Sequence, residues 1–462
     1  MRARGVEAAR EPYASGTIEV SYERGMFLAH RAAAMRELSD ADAAPAGEID
    51  FANLDRVTEI VHVAPGEEDR AIARLRSDIL VRDVSRAAIR YKLSTNAASA
   101  FPNDPYFDGF APENGPPLYE APDSAGQWDM HVICAANAWA YGKANSTGMT
   151  HAGALGGTAP IAIIDTGADS THPDLQGRIV YAESDLSGVT NVGSADDGDG
   201  HGTDVAGIAA AAGNNRFGFA GVAYAAPLMI FKVFPDPPCA SGGCNAFGTD
   251  IAIAIQHAIS HGAKVINLSL GSSGVDTAEE NAVASAIKAG IVVVASAGNE
   301  QASRLDYPAA YPGVLAVGAS ALDDSSGVVK ETVASYSNYD GSNPMSWGIV
   351  APGGDPAGSS DSDLLHWIEN IYTSQSSNSS GFCTADGNDG GRVDCRVLIA
   401  GTSQAAPHAA GAASLLLSVG AHASAIKNLL CSTATPIAGI KSGCGRLNVY
   451  RAMASAVGDL SP

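Results

Sequence analysis

Five unbroken apolar runs constrain the fold of this chain more than any other feature: APIAIID (159–165), LMIFKVF (228–234), AKVINLSL (263–270), IVVVASAG (291–298) and VLAVGAS (314–320). None alternates polar with apolar residues, so each reads as a strand buried on both faces. TDIAIAIQHAISHG (249–262) and EENAVASAIKAG (279–290) lie between them with helical spacing. Strands of this kind separated by helices predict an α/β fold with a doubly wound, mainly parallel sheet. Functional residues in such sheets gather at the carboxyl ends of strands, where Asp165, Ser269 and Asn299 fall.

The first hundred residues read differently. EIVHVAP (59–65) predicts a strand, EEDRAIARLRSD (67–78) an amphipathic helix and SRAAIRYKL (85–93) a second strand, together a small α+β unit. Residues 1–16 and 38–54 are rich in Ala, Asp and Glu with little periodicity and are expected to be poorly ordered. STNAASAFPNDPYFDGF (94–110) reads as an exposed linker open to cleavage between Leu93 and Pro105. The expected division is therefore 1–100 and 101–462.

Charge narrows the partners. The chain holds 28 Lys+Arg against 50 Asp+Glu, and residues 1–100 account for 14 of the former and 16 of the latter. The rest is thus strongly acidic and repels phosphate backbones and anionic bilayers, so neither nucleic acid nor a membrane is an expected partner. AAGAASLLLSVGA (409–421) is too short for a membrane span and reads as a buried helix. MRARGVEAAREPYASG (1–16) lacks the apolar stretch of a secretory signal. Of seven cysteines, six fall into near-neighbour pairs, Cys239–Cys244, Cys383–Cys395 and Cys431–Cys444, with Cys134 left over. Six cysteines allow fifteen connectivities, and this one follows proximity alone. Neither CxxC nor HExxH is present, so disulfides in an oxidising compartment are expected rather than zinc.

Three segments carry chemistry-bearing residues in the order Asp, His, Ser: IAIIDTGADSTHPDL around Asp165, DGDGHGTDVAGIAAA around His201, and LIAGTSQAAPHAAGAASLLL around Ser403. IVVVASAGNE adds Asn299 at the end of a strand-like run. Together they offer a nucleophile, a base, an orienter for the base and a side-chain donor for an oxyanion. Asp-Thr-Gly also occurs in aspartic proteases, but a second such tripeptide is missing. DGDGHG is reminiscent of a calcium loop, yet position twelve from Asp197 is Ile208 rather than Glu.

On these motifs and their order the chain resembles the subtilisin-like serine peptidases over roughly residues 101–455. The resemblance implies a secreted endopeptidase acting on protein or peptide substrates, made as a zymogen whose N-terminal segment is its internal partner, and a monomer. It implies Asp165, His201 and Ser403 as the triad and Asn299 as oxyanion donor. It gives Ser269, Leu270 and Gly271 as the strand that pairs with substrate, and Ser296, Ala297 and Gly298 as one wall of the pocket before the scissile bond. Asp306 aligns with that pocket's floor, where it favours Lys or Arg, or else is a solvated loop carboxylate. Asp174, Gly213, Asn215, Phe217 and Phe219 match the family's calcium site, making Ca²⁺ the expected cofactor. One departure stands out: Asp204 replaces the His common three residues after the catalytic His, and it is expected to perturb the pH optimum. A catalytically silent binding protein, or a narrow processing protease, remains the alternative.

Overall fold

The structure is a computed structural model that describes residues 13–23, 44–51, 56–76, 81–92, 95–96, 127–139, 159–213, 217–237, 244–323, 330–342, 348–356, 366–375, 381–385, 393–441 and 443–457. Its N-terminal part contains β1 (Tyr13–Glu23), β2 (Ala44–Phe51), β3 (Arg56–His62), α1 (Glu68–Leu75), β4 (Asp83–Lys92) and the short β5 (Thr95–Asn96). The first four strands form an antiparallel sheet in the order β4-β1-β3-β2. Ile18, Val20 and Tyr22 of β1 pack with Ala71, Ile72 and Leu75 of α1. The α+β reading holds, but Tyr13–Gly16 and Ala44–Phe51 are strand, not the poorly ordered chain expected. β2 has one neighbour, β3, and an edge strand with one row of backbone groups facing water tolerates so polar a composition.

Two short helices, α2 (Trp128–Val132) and α3 (Ala135–Trp139), precede the main sheet. In chain order there follow β6 (Ile161–Asp165), β7 (Ile179–Leu186), β8 (Val189–Val192), α4 (His201–Ala210), β9 (Leu228–Lys232), β10 (Ala246–Phe247), α5 (Gly248–Ser260), β11 (Val265–Leu268), β12 (Leu270–Gly271), α6 (Thr277–Lys288), β13 (Val292–Ser296), β14 (Leu315–Asp323), β15 (Lys330–Val333) and β16 (Gly348–Pro352). The last third holds β17 (Ile368–Ile371), β18 (Gly381–Ala385), β19 (Val393–Ala400), α7 (Thr402–Ser418), α8 (Ala423–Ser432) and α9 (Val449–Ala456).

The main sheet runs β15-β14-β13-β11-β6-β9-β7-β8, with β16 also on β14. Its pairings are parallel except β7–β8 and β14–β15. Side-chain alternation sorts two cores. Ile161 and Ile163 of β6 join the core that includes residues of α4 and α7, while Ala162 and Ile164 join the one beneath α5 and α6. The unbroken apolar runs follow from this, since both faces of each central strand are covered.

The β18–β19 hairpin is stapled by Cys383–Cys395, and Cys431–Cys444 closes a second loop. Cys244 is disulfide-bonded, whereas Cys239 lies outside the described residues and Cys134 is a free, half-buried thiol. Among the described residues no single helix is long and apolar enough to cross a membrane.

Candidate active site

The strand β6 ends at Asp165 and the helix α4 begins at His201, and the two side chains meet. Asp165 Oδ1 lies 2.6 Å from His201 Nδ1 and also accepts the Thr166 N–H at 2.7 Å. Both residues are buried. Donation from Nδ1–H to the carboxylate makes Nε2 the basic nitrogen of the ring.

The turn that delivers His201 is built on Asp197, a residue that sequence reasoning examined only as a calcium ligand. Its Oδ1 accepts the N–H of Gly200 at 2.8 Å and the hydroxyl of Thr166 at 2.9 Å. Its Oδ2 accepts the N–H and hydroxyl of Thr203 at 2.8 and 2.6 Å. Gly200 sits at φ 106°, and a Cβ there would fall 2.1 Å from the Tyr372 ring, so only glycine fits.

Ser403 is the second residue of α7, where backbone N–H groups have no acceptor inside the helix. Its hydroxyl donates to the Ser269 carbonyl at 3.0 Å, and the Ser269 hydroxyl donates back to the Ser403 carbonyl at 2.7 Å. A hydroxyl reorients readily, and such bonds commonly realign when substrate arrives. Asn299 Oδ1 accepts both the N–H and the hydroxyl of Thr402, at 3.0 and 2.8 Å. That fixes the amide with its NH₂ as the remaining donor group, beside the residue preceding Ser403.

The expected cleft residues converge. Ser296 donates its hydroxyl to the Leu270 carbonyl at 3.2 Å, and the Gly298 N–H donates to Thr402 Oγ1 at 3.2 Å. The N–H of Asp306 donates to the Ala297 carbonyl at 3.0 Å, and Tyr307 exchanges backbone bonds with Ser272, the residue after Gly271. Asp306 is 3% exposed, which favours the pocket reading over a solvated loop carboxylate. Asp174 is fully buried, and its Oδ2 accepts the Phe219 N–H at 2.8 Å. Its carbonyl accepts the Ala212 N–H at 2.9 Å, so the loop carrying Gly213, Phe217 and Phe219 folds over it. Asn215 lies outside the described residues.

Asp204 occupies the first turn of α4 and accepts Gln404 Nε2 at 2.9 Å, linking that helix to the residue after Ser403. Burial pushes its carboxyl from 3.8 up to about 7, against the opposing pull of Gln404 and His201. A carboxyl with a raised folded-state pKa favours the folded state fully below its unfolded value, and that contribution fades as pH climbs from about 4 to about 7. The non-titrating Asp204→Asn variant of a Ser403→Ala chain should therefore gain thermal stability relative to its parent across that window. With Ser403 intact, Asp204→Asn should move the acid limb of kcat/KM to lower pH, because an ionised Asp204 no longer adds to Asp165 in favouring the imidazolium. Parallel melting curves and superimposable pH–rate profiles would contradict both.

A family model described as "Subtilase family" matches residues 156–448. Thermitase of Thermoactinomyces vulgaris is 33% identical over 354 residues, covering 76% of this chain and 99% of that protein. The thermophilic serine proteinase of Bacillus sp. (strain AK1) is 36% identical, over 63% of this chain and 61% of its own length. Among solved structures, fervidolysin from Fervidobacterium pennivorans, a keratinolytic enzyme related to subtilisin, superimposes with a TM-score of 0.69 at 25% identity, covering 97% of this chain and 62% of that one. With the motifs, the fold and these relatives in agreement, the chain belongs to the subtilase family of serine endopeptidases.

Proposed function

We propose that the chain is a secreted zymogen that cuts itself, the N-terminal α+β segment being an internal propeptide and the chain after it the peptidase, with the boundary between Lys92 and Thr95 rather than at residue 100. One observation carries this reading: the end of β4 lies between two strands of the cleft as an extended substrate would. Arg90 and Ile89 pair with Ala246 and Phe247 on one side, and Lys92 and Tyr91 with Leu270 and Gly271 on the other. β5 then pairs with β19, Asn96 opposite Ile399 and Thr95 opposite Ala400, which lies three residues before Ser403. Strand addition of this kind gives affinity through main-chain bonds whatever the side chains. The bond cut then lies in the link from Lys92 to Thr95.

In this reading Ser403 Oγ attacks the carbonyl carbon while His201 Nε2 takes its proton, and Asp165 holds the resulting imidazolium. The oxyanion accepts hydrogen bonds from Asn299 Nδ2 and the Ser403 N–H. Collapse breaks the C–N bond, His201 protonates the departing amine, and water repeats the sequence to free the acid. Wild-type protein should acquire a new N-terminus at Leu93, Ser94 or Thr95, and Ser403→Ala should stay full length, as read by intact mass and N-terminal sequencing. Asn299→Ala should slow peptide turnover by roughly 10²–10³-fold, the loss measured for such a donor in subtilisin itself. Processing of Ser403→Ala, or a terminus elsewhere, contradicts the assignment.

Burial beside Ala297 supports Asp306 as a carboxylate of the specificity pocket. Cleavage after Lys or Arg should exceed cleavage after Phe, and Asp306→Ala should reverse that order in a peptide library. An unchanged preference removes the role.

We also assign the family's Ca²⁺ to Asp174 with the carbonyls of Gly213, Phe217 and Phe219 and the side chain of Asn215. A buried carboxylate wrapped by a loop rich in carbonyls is a hard-oxygen donor set that suits Ca²⁺. The ion would pin this loop to the segment after β6. A Ca²⁺-selective chelator should lower the melting temperature of Ser403→Ala and leave Ser403→Ala/Asp174→Asn unmoved; equal sensitivity in both removes Asp174 from the site.

A further inference from the structure

On the strand β7, far along the sheet from Ser403's helix, Glu183 and Asp185 stand two residues apart and so share one face. That face meets His257 of α5. One ligand atom from each of the three lies within 4.8 Å of the others. Both carboxylates are 1% exposed, while His257 is 36% exposed and opens the cluster to solvent.

The hydrogen bonds around the cluster leave a charge unmet. Tyr181 donates its hydroxyl to Glu183 Oε2 at 2.5 Å, and His257 Nδ1 lies 2.6 Å from Glu183 Oε1. Thr190 donates its hydroxyl to Asp185 Oδ1. The other oxygen, Asp185 Oδ2, is buried with no donor from a third residue, and the Asp185 and Glu183 carboxyls lie close enough to share a proton. Among the described residues the one cationic group recorded against either acid is His257. Two buried carboxylates thus face at most one positive charge, an arrangement that burial disfavours unless a cation or a shared proton compensates it.

We propose that Glu183, Asp185 and His257 bind a first-row divalent cation of the Zn²⁺ class. A mixed donor set of one imidazole nitrogen and two carboxylate oxygens suits such an ion, whereas Ca²⁺ takes oxygen ligands. Nδ1 is the histidine nitrogen that faces the acids, so the ion takes the place of its proton, which leaves to solvent. The site is separate from the Asp174 loop. It ties β7 to α5, reinforcing the bonds from the Ser187 and Gly188 N–H groups to Asp250 at 2.8 Å each. Because α5 follows directly from β10, the ion would brace one wall of the substrate cleft.

The test uses the full Ser403→Ala chain, stripped of metal and then saturated with Ca²⁺. Added Zn²⁺ should raise its melting temperature by about 2–4 °C. Equilibrium dialysis should show one more Zn²⁺ retained by this chain than by its His257→Gln or Glu183→Gln derivatives. Co²⁺ should give a visible absorption band that both derivatives lose. Crystals of Ser403→Ala soaked in Zn²⁺ should show anomalous density between the three side chains, a readout independent of whether either derivative folds. Equal ion counts in parent and derivatives, or no anomalous peak there, overturns the assignment and leaves the two acids sharing a proton.

Discussion

The 2.6 Å contact between His201 Nδ1 and Asp165 Oδ1 is the constraint on which the rest of this molecule depends. Both groups are withdrawn from water, so neither is tolerable without the other. One sits at the end of a central strand, the other at the start of a helix 36 residues later, and the intervening chain must return to within an ångström or so. Asp197 does that positioning from inside the turn, and Gly200 and Gly202 leave the space it needs. A Cβ on Gly202 would approach the Gly167 carbonyl to 2.2 Å. The strictness of the Gly-rich segment thus follows from packing around a buried imidazole–carboxylate pair, before any reaction is considered.

The proposed nucleophile is held by a different logic. Ser403 and Ser269 clasp each other through reciprocal hydroxyl–carbonyl bonds, tying the start of α7 to the strand that would carry substrate. Thr402 and Asn299 form a second clasp one residue earlier. The proposed nucleophile, oxyanion donor and substrate strand are therefore hydrogen-bonded to one another, and the proposed base is carried by other elements. Asp204 and Gln404 bridge those two sets of elements, which gives the Asp204 departure from the family pattern a structural consequence.

How far the sequence could be read follows from where each element lies. Central strands β6, β9, β11, β13 and β14 were legible because burial on both faces writes itself as unbroken Val, Ile and Ala. β2 was missed because an edge strand with polar residues looks like a loop. β7 has a mixed burial pattern and β8 is exposed throughout, so neither gave an apolar run. The proposed triad residues were legible because each sits in a motif with several fixed neighbours. The partner of Asp204 was not, since Gln404 lies 200 residues away. Asp306 could be read equally as pocket or surface, because burial of a loop residue depends on what folds over it. Glu183 and Asp185 had a signal, two acids at strand spacing, but His257 comes from a helix that sequence alone does not bring to them.

The central claim is that Ser403 is a nucleophile activated by His201 against the Asn299 donor. Labelling with a fluorophosphonate, which traps a serine only when base and oxyanion donors are assembled, tests it most directly. Mass mapping should find one adduct on the peptide that carries Ser403 in the wild type and none in His201→Ala. An adduct on another residue, or a protein that hydrolyses peptides yet takes no label, would contradict the account.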